Sequence, residues 1–459
     1  MTKKPQQVKA DLVVLGAGSG GLATAKRAAN YGARAVIIEN SRVGGTCVIR
    51  GCIPKKLMAY ASHIGELRHL GQAYGWTDSL GPCNWETLIS QRNQTVDRLE
   101  RMHEKALEQA GVELLRGDGQ IDGPNSVKVG DRQIETDHIV IATGGRPTLP
   151  TNIAGIEHAI TSDAFWDLST MPKSAVIVGG SYIAVEFATI LQGLGCNTTL
   201  LVRSQLLRGF DRAIVSHFED CLAQQGITVV KEHVPTAIKP QPTGGYAVSL
   251  QGADQQTTTL TTDACVLFAI GRVPNTDKIG LEGVGIETNS DGSIPVDENH
   301  ATNVPTIYAV GDVTGRAMLT PVAIKAGRTL ADKLFASSTR VMSYDNIPTA
   351  VFSHPPIATV GQTEETARAA FGDDIEVFES RFAPLIYAPC PPKDKVRTLM
   401  RLVVRRSTQR VLGCHMVGVD APEIIQGYAA AIHAGATKET FDNTVAVHPS
   451  SAEEFVLMR

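Results

Sequence analysis

The feature that most constrains the fold is a pair of glycine-rich turns, each of which follows a short apolar run and precedes a helical pattern. The first glycine turn (residues 16–21) reads Gly-Ala-Gly-Ser-Gly-Gly, and the second glycine turn (residues 179–184) reads Gly-Gly-Ser-Tyr-Ile-Ala. Strand, glycine turn and helix in this order are typical of a βαβ unit that holds a dinucleotide at the helix N-terminus. Two such units predict an α/β chain with two doubly wound, nucleotide-binding layers.

The first glycine turn matches the dinucleotide fingerprint at each of its positions. Gly16 allows the tight turn, Gly18 lets the backbone approach a pyrophosphate, and Gly21 lets the helix pack on its strand. Glu39 ends the next apolar run, where a carboxylate accepts a hydrogen bond from a ribose hydroxyl. Together these residues predict a dinucleotide site.

The second glycine turn departs from that fingerprint at two positions. Ser181 stands at the middle glycine position and Ala184 at the last. The Ser181 hydroxyl either donates to a phosphate oxygen or crowds it, and the sequence leaves both open. The apolar run after this helix ends in Arg203 rather than an acid, and Arg208 follows. Two arginines suit the 2′-phosphate of NADPH, which favours NADPH over NADH.

A pair of cysteines lies in the segment Cys47-Val-Ile-Arg-Gly-Cys52-Ile-Pro-Lys-Lys. On a regular helix, residues five apart are separated by about 7.5 Å of rise, which exceeds the usual Cα span of a disulfide, about 4.4–6.8 Å. The two cysteines therefore bridge only if the segment is irregular, which Gly51 permits. Pro54 suits the first turn of a helix that begins near Cys52, where the helix dipole favours a thiolate. The pair predicts a redox-active disulfide.

The composition excludes several classes of function. The chain has 459 residues with a formal charge of −4, so we expect no nucleic-acid-binding surface. No apolar run reaches the length of a membrane span, about 18 residues, and the glycine-rich N-terminal stretch argues against a secretory signal. Of the eight cysteines, six are expected to be buried apolar residues. Since there is no second cysteine pair, we expect no metal site. We expect a cytoplasmic location.

The chain ends in a segment with two interpretations, His448-Pro-Ser-Ser-Ala-Glu-Glu. A histidine transfers protons near neutral pH and a carboxylate fixes its tautomer, so His448 with Glu453 is a candidate acid–base pair. A capped helix start at Ser450 or Ser451 explains the same residues equally well. From about Pro348 onward, short β-branched runs and an alanine-rich helical pattern predict an α+β C-terminal domain.

These motifs together resemble the class I flavoprotein pyridine nucleotide–disulfide oxidoreductases, and within them the enzymes that reduce glutathione disulfide. The resemblance spans nearly the whole chain in the family's order. It rests on the cysteine segment, the second glycine turn, Ala269-Ile-Gly-Arg-Val-Pro-Asn, Gly311-Asp312, Leu319-Thr-Pro-Val-Ala and the His448 ending. It implies an FAD-binding domain over 1–146, an NADPH-binding domain over 147–274, a central domain over 275–340 that completes the FAD site, and a dimerisation domain over 341–459.

The resemblance implies NADPH-dependent reduction of glutathione disulfide to two glutathione molecules, which maintains the thiol balance of the cell. Electrons would pass from NADPH through FAD to a Cys47–Cys52 disulfide. Cys47 would then attack the substrate disulfide while Cys52 stays beside the flavin. His448, oriented by Glu453, would protonate the departing thiolate. It would do so for the disulfide of the partner subunit, so a homodimer with shared active sites is expected.

The remaining site residues follow from the same resemblance. Lys55, paired with Glu186, is expected near the flavin, and Tyr182 is expected to cover the nicotinamide site. The expected FAD contacts are Gly16, Gly18, Ser19, Gly21, Glu39, Thr46, Lys55, Thr143, Gly144, Asp312 and Thr320. The expected NADPH contacts are Gly179, Ser181, Tyr182, Ile183, Glu186, Arg203, Arg208, Gly271 and Arg272. The expected substrate contacts are Ser19, Lys26, His103, Arg328 and His448.

Two of the substrate positions depart from the family pattern. Lys26 stands where the family usually has arginine, and it keeps the charge without the bidentate fork. His103 stands where the family usually has tyrosine. A reductase of a modified or different low-molecular-weight disulfide is therefore the alternative. A flavin-binding scaffold without turnover is a rival of another class, and the set of Cys47, Cys52 and His448 argues against it.

Overall fold

The computed structural model describes residues 6–77 and 81–459. Its strands, numbered in chain order, are β1 (Gln6–Leu15), β2 (Ala35–Glu39), β3 (Glu113–Arg116), β4 (Gly119–Gly123), β5 (Ser126–Val129), β6 (Arg132–Ile141), β7 (Gly145–Pro147), β8 (Ile160–Thr161), β9 (Ser174–Val178), β10 (Asn197–Val202), β11 (Thr228–Lys231), β12 (His233–Pro240), β13 (Tyr246–Gly252), β14 (Thr257–Thr262), β15 (Cys265–Phe268), β16 (Arg272–Pro274), β17 (Ile307–Ala309), β18 (Thr349–Val351), β19 (Ile357–Gly361), β20 (Ile375–Phe382), β21 (Thr398–Arg405) and β22 (Val411–Val417). Its α-helices are α1 (Ser19–Asn30), α2 (Gly45–Ile49), α3 (Cys52–Ala73), α4 (Trp85–Gln109), α5 (Tyr182–Gly193), α6 (Arg212–Gln224), α7 (Thr320–Ala336), α8 (Glu364–Phe371), α9 (Ala421–His433), α10 (Lys438–Asp442) and α11 (Glu454–Leu457).

The chain divides into two compact units. Unit 1 contains Met1–Lys55, Ile89–Thr148 and Arg272–Tyr344, and unit 2 contains Lys56–Leu88, Leu149–Gly271 and Asp345–Arg459.

Unit 1 is built on a sheet with the strand order β3-β2-β1-β6-β5-β4, and β17 also pairs with β6. The central strand β1 runs parallel to both β2 and β6. Its residues Leu12, Val13 and Val14 are all fully buried, because helices and loops cover both faces of such a strand. The first glycine turn leads from β1 into α1, and α1 is followed by β2. This is the strand–turn–helix–strand unit that the sequence predicts.

Unit 2 repeats that arrangement in a parallel sheet with the order β11-β10-β9-β15-β8. The second glycine turn leads from β9 into α5, and α5 is followed by β10. A separate antiparallel sheet, β12-β13-β14, packs on the parallel sheet. It contributes Ile238, Val248 and Leu250 to their shared apolar core. Two sheets that each contain the parallel strand–turn–helix–strand unit are therefore present, and the predicted α/β class is confirmed.

The C-terminal part of unit 2 is an antiparallel sheet with the order β18-β19-β22-β21-β20. Helix α9 packs against it through one face formed by Ala421, Ile425, Ala429 and Ile432, which recur at helical spacing. The predicted α+β region is thus present after Pro348. Within the described parts of the chain, no helix combines the length and the apolar character needed to cross a bilayer.

Candidate active site

The two cysteines lie on either side of a break between two helices. Cys47 lies in α2, and Cys52 is the first residue of α3. Arg50 has φ −144° and ψ 22°, so the helical path stops there. Gly51 approaches Thr46 so closely that a Cβ on it would lie 2.8 Å from the Thr46 carbonyl oxygen. This break is the irregularity that a five-residue spacing requires if the two side chains are to meet.

Both cysteines are thiols in the structure, with Cys52 exposed and Cys47 partly buried. The hydrogen bond between the two thiols and the burial of Cys47 raise the pKa of Cys47 above its usual range, while Thr320 and the charge of Lys55 act in the opposite sense. The Thr320 hydroxyl, at the start of α7, lies 3.6 Å from Cys52 Sγ. Because the thiolate is the nucleophile, Cys47 can attack a disulfide only after it has lost its proton.

The glycines of the first glycine turn occupy their positions for different structural reasons. Gly16 has φ +100°, and a Cβ there would lie 2.5 Å from the Ala142 carbonyl oxygen. A Cβ on Gly21 would lie 1.9 Å from the carbonyl oxygen of Gly16. Gly18 has an extended backbone, and a Cβ on it would meet nothing nearer than the Cα of Gly45 at 3.8 Å. The fold therefore requires Gly16 and Gly21, whereas Gly18 keeps open a space that a side chain would fill.

That space lies at the start of α1, whose first backbone N–H groups have no side-chain cap. Uncapped N–H groups and the positive end of the helix dipole form a good site for a pyrophosphate. Glu39 ends β2 beside the turn, where its carboxylate accepts hydrogen bonds from the Ala17 N–H at 2.7 Å and the Ser41 N–H at 2.8 Å. Each carboxylate oxygen keeps a further lone pair for a ribose hydroxyl.

Residues from three further segments of unit 1 complete this region. Thr143 follows Ala142, against which Gly16 packs, and its hydroxyl donates to the Asn275 carbonyl at 2.7 Å. The adjacent Gly144 has φ +67°. Arg272 donates to the Gly145 carbonyl and lies 3.4 Å from the Thr46 hydroxyl.

Asp312 begins a short 3₁₀ turn after β17. Burial raises the pKa of its carboxyl, and the charge of Arg272 opposes the increase. A partly buried carboxylate of this kind is a good acceptor for the hydroxyl groups of a ribityl chain. The residues of unit 1 therefore fit FAD.

The second glycine turn has nearly the same backbone as the first. Gly179 has φ +145°, and a Cβ there would lie 2.3 Å from the Ala269 carbonyl oxygen. Ser181 has φ −89° and ψ 173°, an ordinary extended conformation, so serine fits without strain. Its hydroxyl does not cap α5, and the first N–H groups of that helix remain available. Ala184 is fully buried.

The loop after β10 carries two exposed arginines. Arg203 forms no hydrogen bond or ion pair with a residue that the structure describes, and Arg208 donates to the Ser204 hydroxyl at 3.4 Å. Arg212, at the start of α6, holds this loop by donating to the carbonyl groups of Leu206, Leu207 and Phe210. Two guanidinium groups at this edge of the sheet fit the 2′-phosphate of NADPH. Sequence analysis missed Arg212, because a guanidinium that binds backbone carbonyls has no sequence motif.

The other expected NADPH contacts of unit 2 are three residues of α5 and Gly271. Tyr182 is the first residue of this helix and is 38% exposed, whereas Ile183 is partly buried. Glu186 is buried one turn further on, where its carboxylate accepts a hydrogen bond from the Phe352 N–H at 2.8 Å. Gly271, with φ +150°, follows β15.

His448 and Glu453 form a pair at the end of unit 2. The Nδ1 atom of His448 lies 3.0 Å from Glu453 Oε2, and the His448 ring is 79% exposed. Glu453 also accepts a hydrogen bond from the Ser450 N–H, while the Ser450 hydroxyl accepts from the Glu453 N–H. The hydrogen bond with His448 lowers the pKa of Glu453. The predicted cap is therefore present, and the same Glu453 carboxylate contacts His448 as an acid–base pair would require, while the acid–base role stays a prediction.

Four expected substrate contacts lie in unit 1. Ser19 and Lys26 are seven residues apart on α1, which puts them on one face of the helix. Burial and the charge of Arg328 lower the pKa of Lys26. Burial and the charge of Lys26 lower the pKa of His103. Lys26 is thus close to both Arg328 and His103, and this basic cluster, which has two cations, attracts an anionic ligand.

One expectation about the cysteines is wrong. Cys83 was expected to be a buried apolar residue, but it is exposed, because it lies in the irregular segment before α4. The other cysteines outside the redox pair are buried as expected, namely Cys196, Cys221, Cys265, Cys390 and Cys414.

Comparison with known proteins identifies the family. The family model for pyridine nucleotide-disulphide oxidoreductases matches residues 10–327, and the model for the dimerisation domain of these proteins matches residues 347–459. The chain is similar to a glutathione reductase of Nostoc sp. strain PCC 7120, with 46% identity over 461 residues that cover 98% of this chain and 99% of the relative.

Two further relatives are similar over the same extent of the chain. A glutathione reductase of Burkholderia cepacia is 44% identical over 455 residues, covering 99% of each protein. A chloroplastic/mitochondrial glutathione reductase of Pisum sativum is 42% identical over 466 residues, covering 99% of this chain and 83% of the relative. On these matches, the chain belongs to the pyridine nucleotide-disulphide oxidoreductase family.

Proposed function

We propose that this protein reduces glutathione disulfide to two molecules of glutathione with electrons from NADPH, through bound FAD. The observation that carries the proposal is the contact of the Cys47 and Cys52 thiols across the break between α2 and α3. The full-length similarity to three glutathione reductases supports the choice of substrate.

FAD, when bound, takes a hydride from NADPH and delivers an electron pair to a disulfide. In this proposal the first glycine turn and Glu39 hold the pyrophosphate and ribose of FAD. The other FAD contacts are Ser19, Thr46, Lys55, Thr143, Gly144, Asp312 and Thr320. The second glycine turn holds NADPH, whose 2′-phosphate is bound by Arg203 and Arg208. The other NADPH contacts are Tyr182, Ile183, Glu186, Gly271 and Arg272.

The steps on sulfur follow from the thiol geometry. Cys47 reacts as a thiolate, so a base must take its proton, and we assign this role to the His448 that the partner subunit would supply. The Cys47 sulfur attacks one sulfur of glutathione disulfide, so that the substrate S–S bond breaks and a Cys47–glutathione disulfide forms. The departing thiolate takes the proton from His448 and leaves as glutathione.

The second half of the reaction restores the Cys47–Cys52 disulfide. Cys52, at the N-terminus of α3, is positioned for ionisation by the helix dipole. Its thiolate attacks the Cys47 sulfur and releases the second glutathione as a thiolate, which takes up the proton that Cys52 lost.

His448 would serve the disulfide of the partner subunit in a homodimer. The similarity to a dimerisation domain supports the homodimer. The apolar side chains of Val445 and Val447 beside this histidine are 92% and 78% exposed in the single chain. Exposed apolar side chains next to a reactive group are typical of an interface that a second subunit covers.

Substrate binding is assigned to the basic cluster of unit 1. Glutathione disulfide carries four carboxylates, of which Lys26 and Arg328 would pair with two, with Ser19 and His103 as neutral contacts. The cytoplasmic location stays a prediction, because one relative is chloroplastic/mitochondrial.

The first experiment measures NADPH oxidation by the purified holoenzyme with glutathione disulfide, against a blank without it. The Cys47→Ser variant should still allow NADPH to bleach the flavin but should lose disulfide turnover by at least about a thousandfold. Cys83→Ser, at an exposed cysteine outside the pair, is the matched control and should keep full turnover. If the native protein bleaches with NADPH but does not turn over glutathione disulfide, a different low-molecular-weight disulfide is the substrate. Turnover by Cys47→Ser would contradict the assigned mechanism.

A further inference from the structure

Three potential metal ligands, none of them among the expected site residues, converge in unit 2. Glu66 Oε2 lies 2.7 Å from His354 Nε2 and 3.7 Å from His63 Nδ1. All three ligand atoms lie within 4.8 Å of one another. Among the residues that the structure describes, no other group of three histidine, cysteine or carboxylate side chains converges in this way.

Two elements bring these side chains together. His63 and Glu66 are three residues apart on α3, so they lie on the same face of the helix. His354 lies in the segment between β18 and β19. Its carbonyl group accepts a hydrogen bond from the Gln225 side chain at 2.7 Å. Helix α3 fixes His63 and Glu66, and the hydrogen bond from Gln225 fixes the loop that carries His354. The three ligands are therefore positioned before any ion binds.

The contact between Glu66 and His354 is not a well-formed hydrogen bond. Glu66 Oε2 is buried, and although His354 Nε2 is near, the approach does not satisfy the angle of a hydrogen bond. A buried carboxylate oxygen that lies close to two imidazole nitrogens is typical of a cation site.

The cluster also has access to solvent. His63 and His354 line a cavity of about 270 Å³ together with Tyr60, Asp420 and Glu423. The His63 side chain is 41% exposed. An ion can therefore reach the three ligands, and water from the cavity can complete its coordination. The two acidic residues on the cavity wall add negative charge that favours a cation, and Lys56 on the same wall offsets part of it.

We propose that His63, Glu66 and His354 bind a divalent transition metal ion of the zinc type, with water at the open position. Two imidazoles and one carboxylate are a ligand set that Zn²⁺ accepts in tetrahedral geometry. No sequence motif marks this set, because His354 is far from α3 along the chain. A bound ion would link α3 to the segment between β18 and β19.

The test uses the oxidised holoenzyme without NADPH, so that Cys47 and Cys52 are not available as thiolates. Exposed Cys83 is first blocked with an alkylating reagent. Zn²⁺ alone is then titrated in competition with a chromogenic chelator. We expect one ion per chain, and we expect His63→Gln and Glu66→Gln each to weaken binding by at least about tenfold.

The matched control is His158→Gln. His158 Nε2 lies 3.8 Å from Glu157 Oε1, so it is also a histidine beside a carboxylate, but it has no second histidine. This variant should bind Zn²⁺ as the native protein does. A Co²⁺ difference spectrum should lack an intense thiolate band, which separates this site from cysteine ligands. An unaltered affinity in His63→Gln, or no zinc bound by the native protein, would mean that Glu66 and His354 form only an ion pair.

Discussion

The first and second glycine turns have the same hydrogen-bonded frame but different side chains. In the first, the Gly16 N–H donates to the Ile38 carbonyl at 2.8 Å, and in the second the Gly179 N–H donates to the Leu201 carbonyl at 2.9 Å. Both leading glycines have a positive φ and pack against the carbonyl group of an alanine. The backbone thus builds the same cradle twice.

The differences lie at three matched positions. Gly18 is replaced by Ser181, Gly21 by Ala184, and the strand-ending Glu39 by Arg203. Gly18 and Ser181 have nearly equal dihedral angles, so the fold tolerates either residue there. A shared frame with different side chains is what we expect if the backbone places a dinucleotide and these few side chains select which dinucleotide it is.

The largest effect is expected when the residues at the last position of the two turns, Gly21 and Ala184, are exchanged. Gly21→Ala would put a Cβ 1.9 Å from a backbone oxygen, so we expect a loss of at least about 3 kcal/mol in unfolding free energy, with loss of FAD. The reciprocal Ala184→Gly removes one buried methyl group from a helix and should cost about 1–2 kcal/mol. Flavin absorbance per chain and thermal denaturation measure both. Equal effects in the two variants would show that the turns do not differ in this packing.

A second test removes the charge at the end of β10. Arg203→Ala should lower kcat/KM for NADPH by about 10- to 100-fold, the effect of one charge-assisted hydrogen bond to phosphate. The kcat/KM for NADH, which has no 2′-phosphate, should change little. Steady-state kinetics with both nucleotides measure the ratio, with Arg208→Ala as a companion of smaller effect. Equal losses for both nucleotides would remove the assignment of Arg203 to the 2′-phosphate.

The smallest effect is expected from a substitution that makes the second glycine turn resemble the first. Ser181→Gly should raise KM for NADPH by about threefold to tenfold, because an uncapped hydroxyl is free to donate to the pyrophosphate. The melting temperature should hardly change, since glycine fits the same extended backbone. A fall in KM would mean that the serine crowds the phosphate instead.

Much of this fold could be predicted because its determinants are local. The glycine turns, the buried strand Leu12–Val14 and the helix start at Cys52 are set by residues within a few positions of one another. The helix break between the cysteines could be inferred from their spacing alone. Such features require no knowledge of how distant segments meet.

The rest depends on contacts between distant segments. The Phe352 N–H that donates to Glu186 is 166 residues away in sequence. The loop that carries Arg203 is held by Arg212 through backbone carbonyls, which leave no mark on the sequence. The exposure of Cys83 depends on an irregular segment rather than on residue type. Only the packed chain shows which side chains meet.

The double role of Glu453 has a consequence for how this protein can evolve. One carboxylate closes the final capped turn and also holds the His448 ring. Under the proposed mechanism, selection for a stable C-terminus and selection for catalysis would act on the same codon. A substitution of Glu453 is then expected to change both traits together.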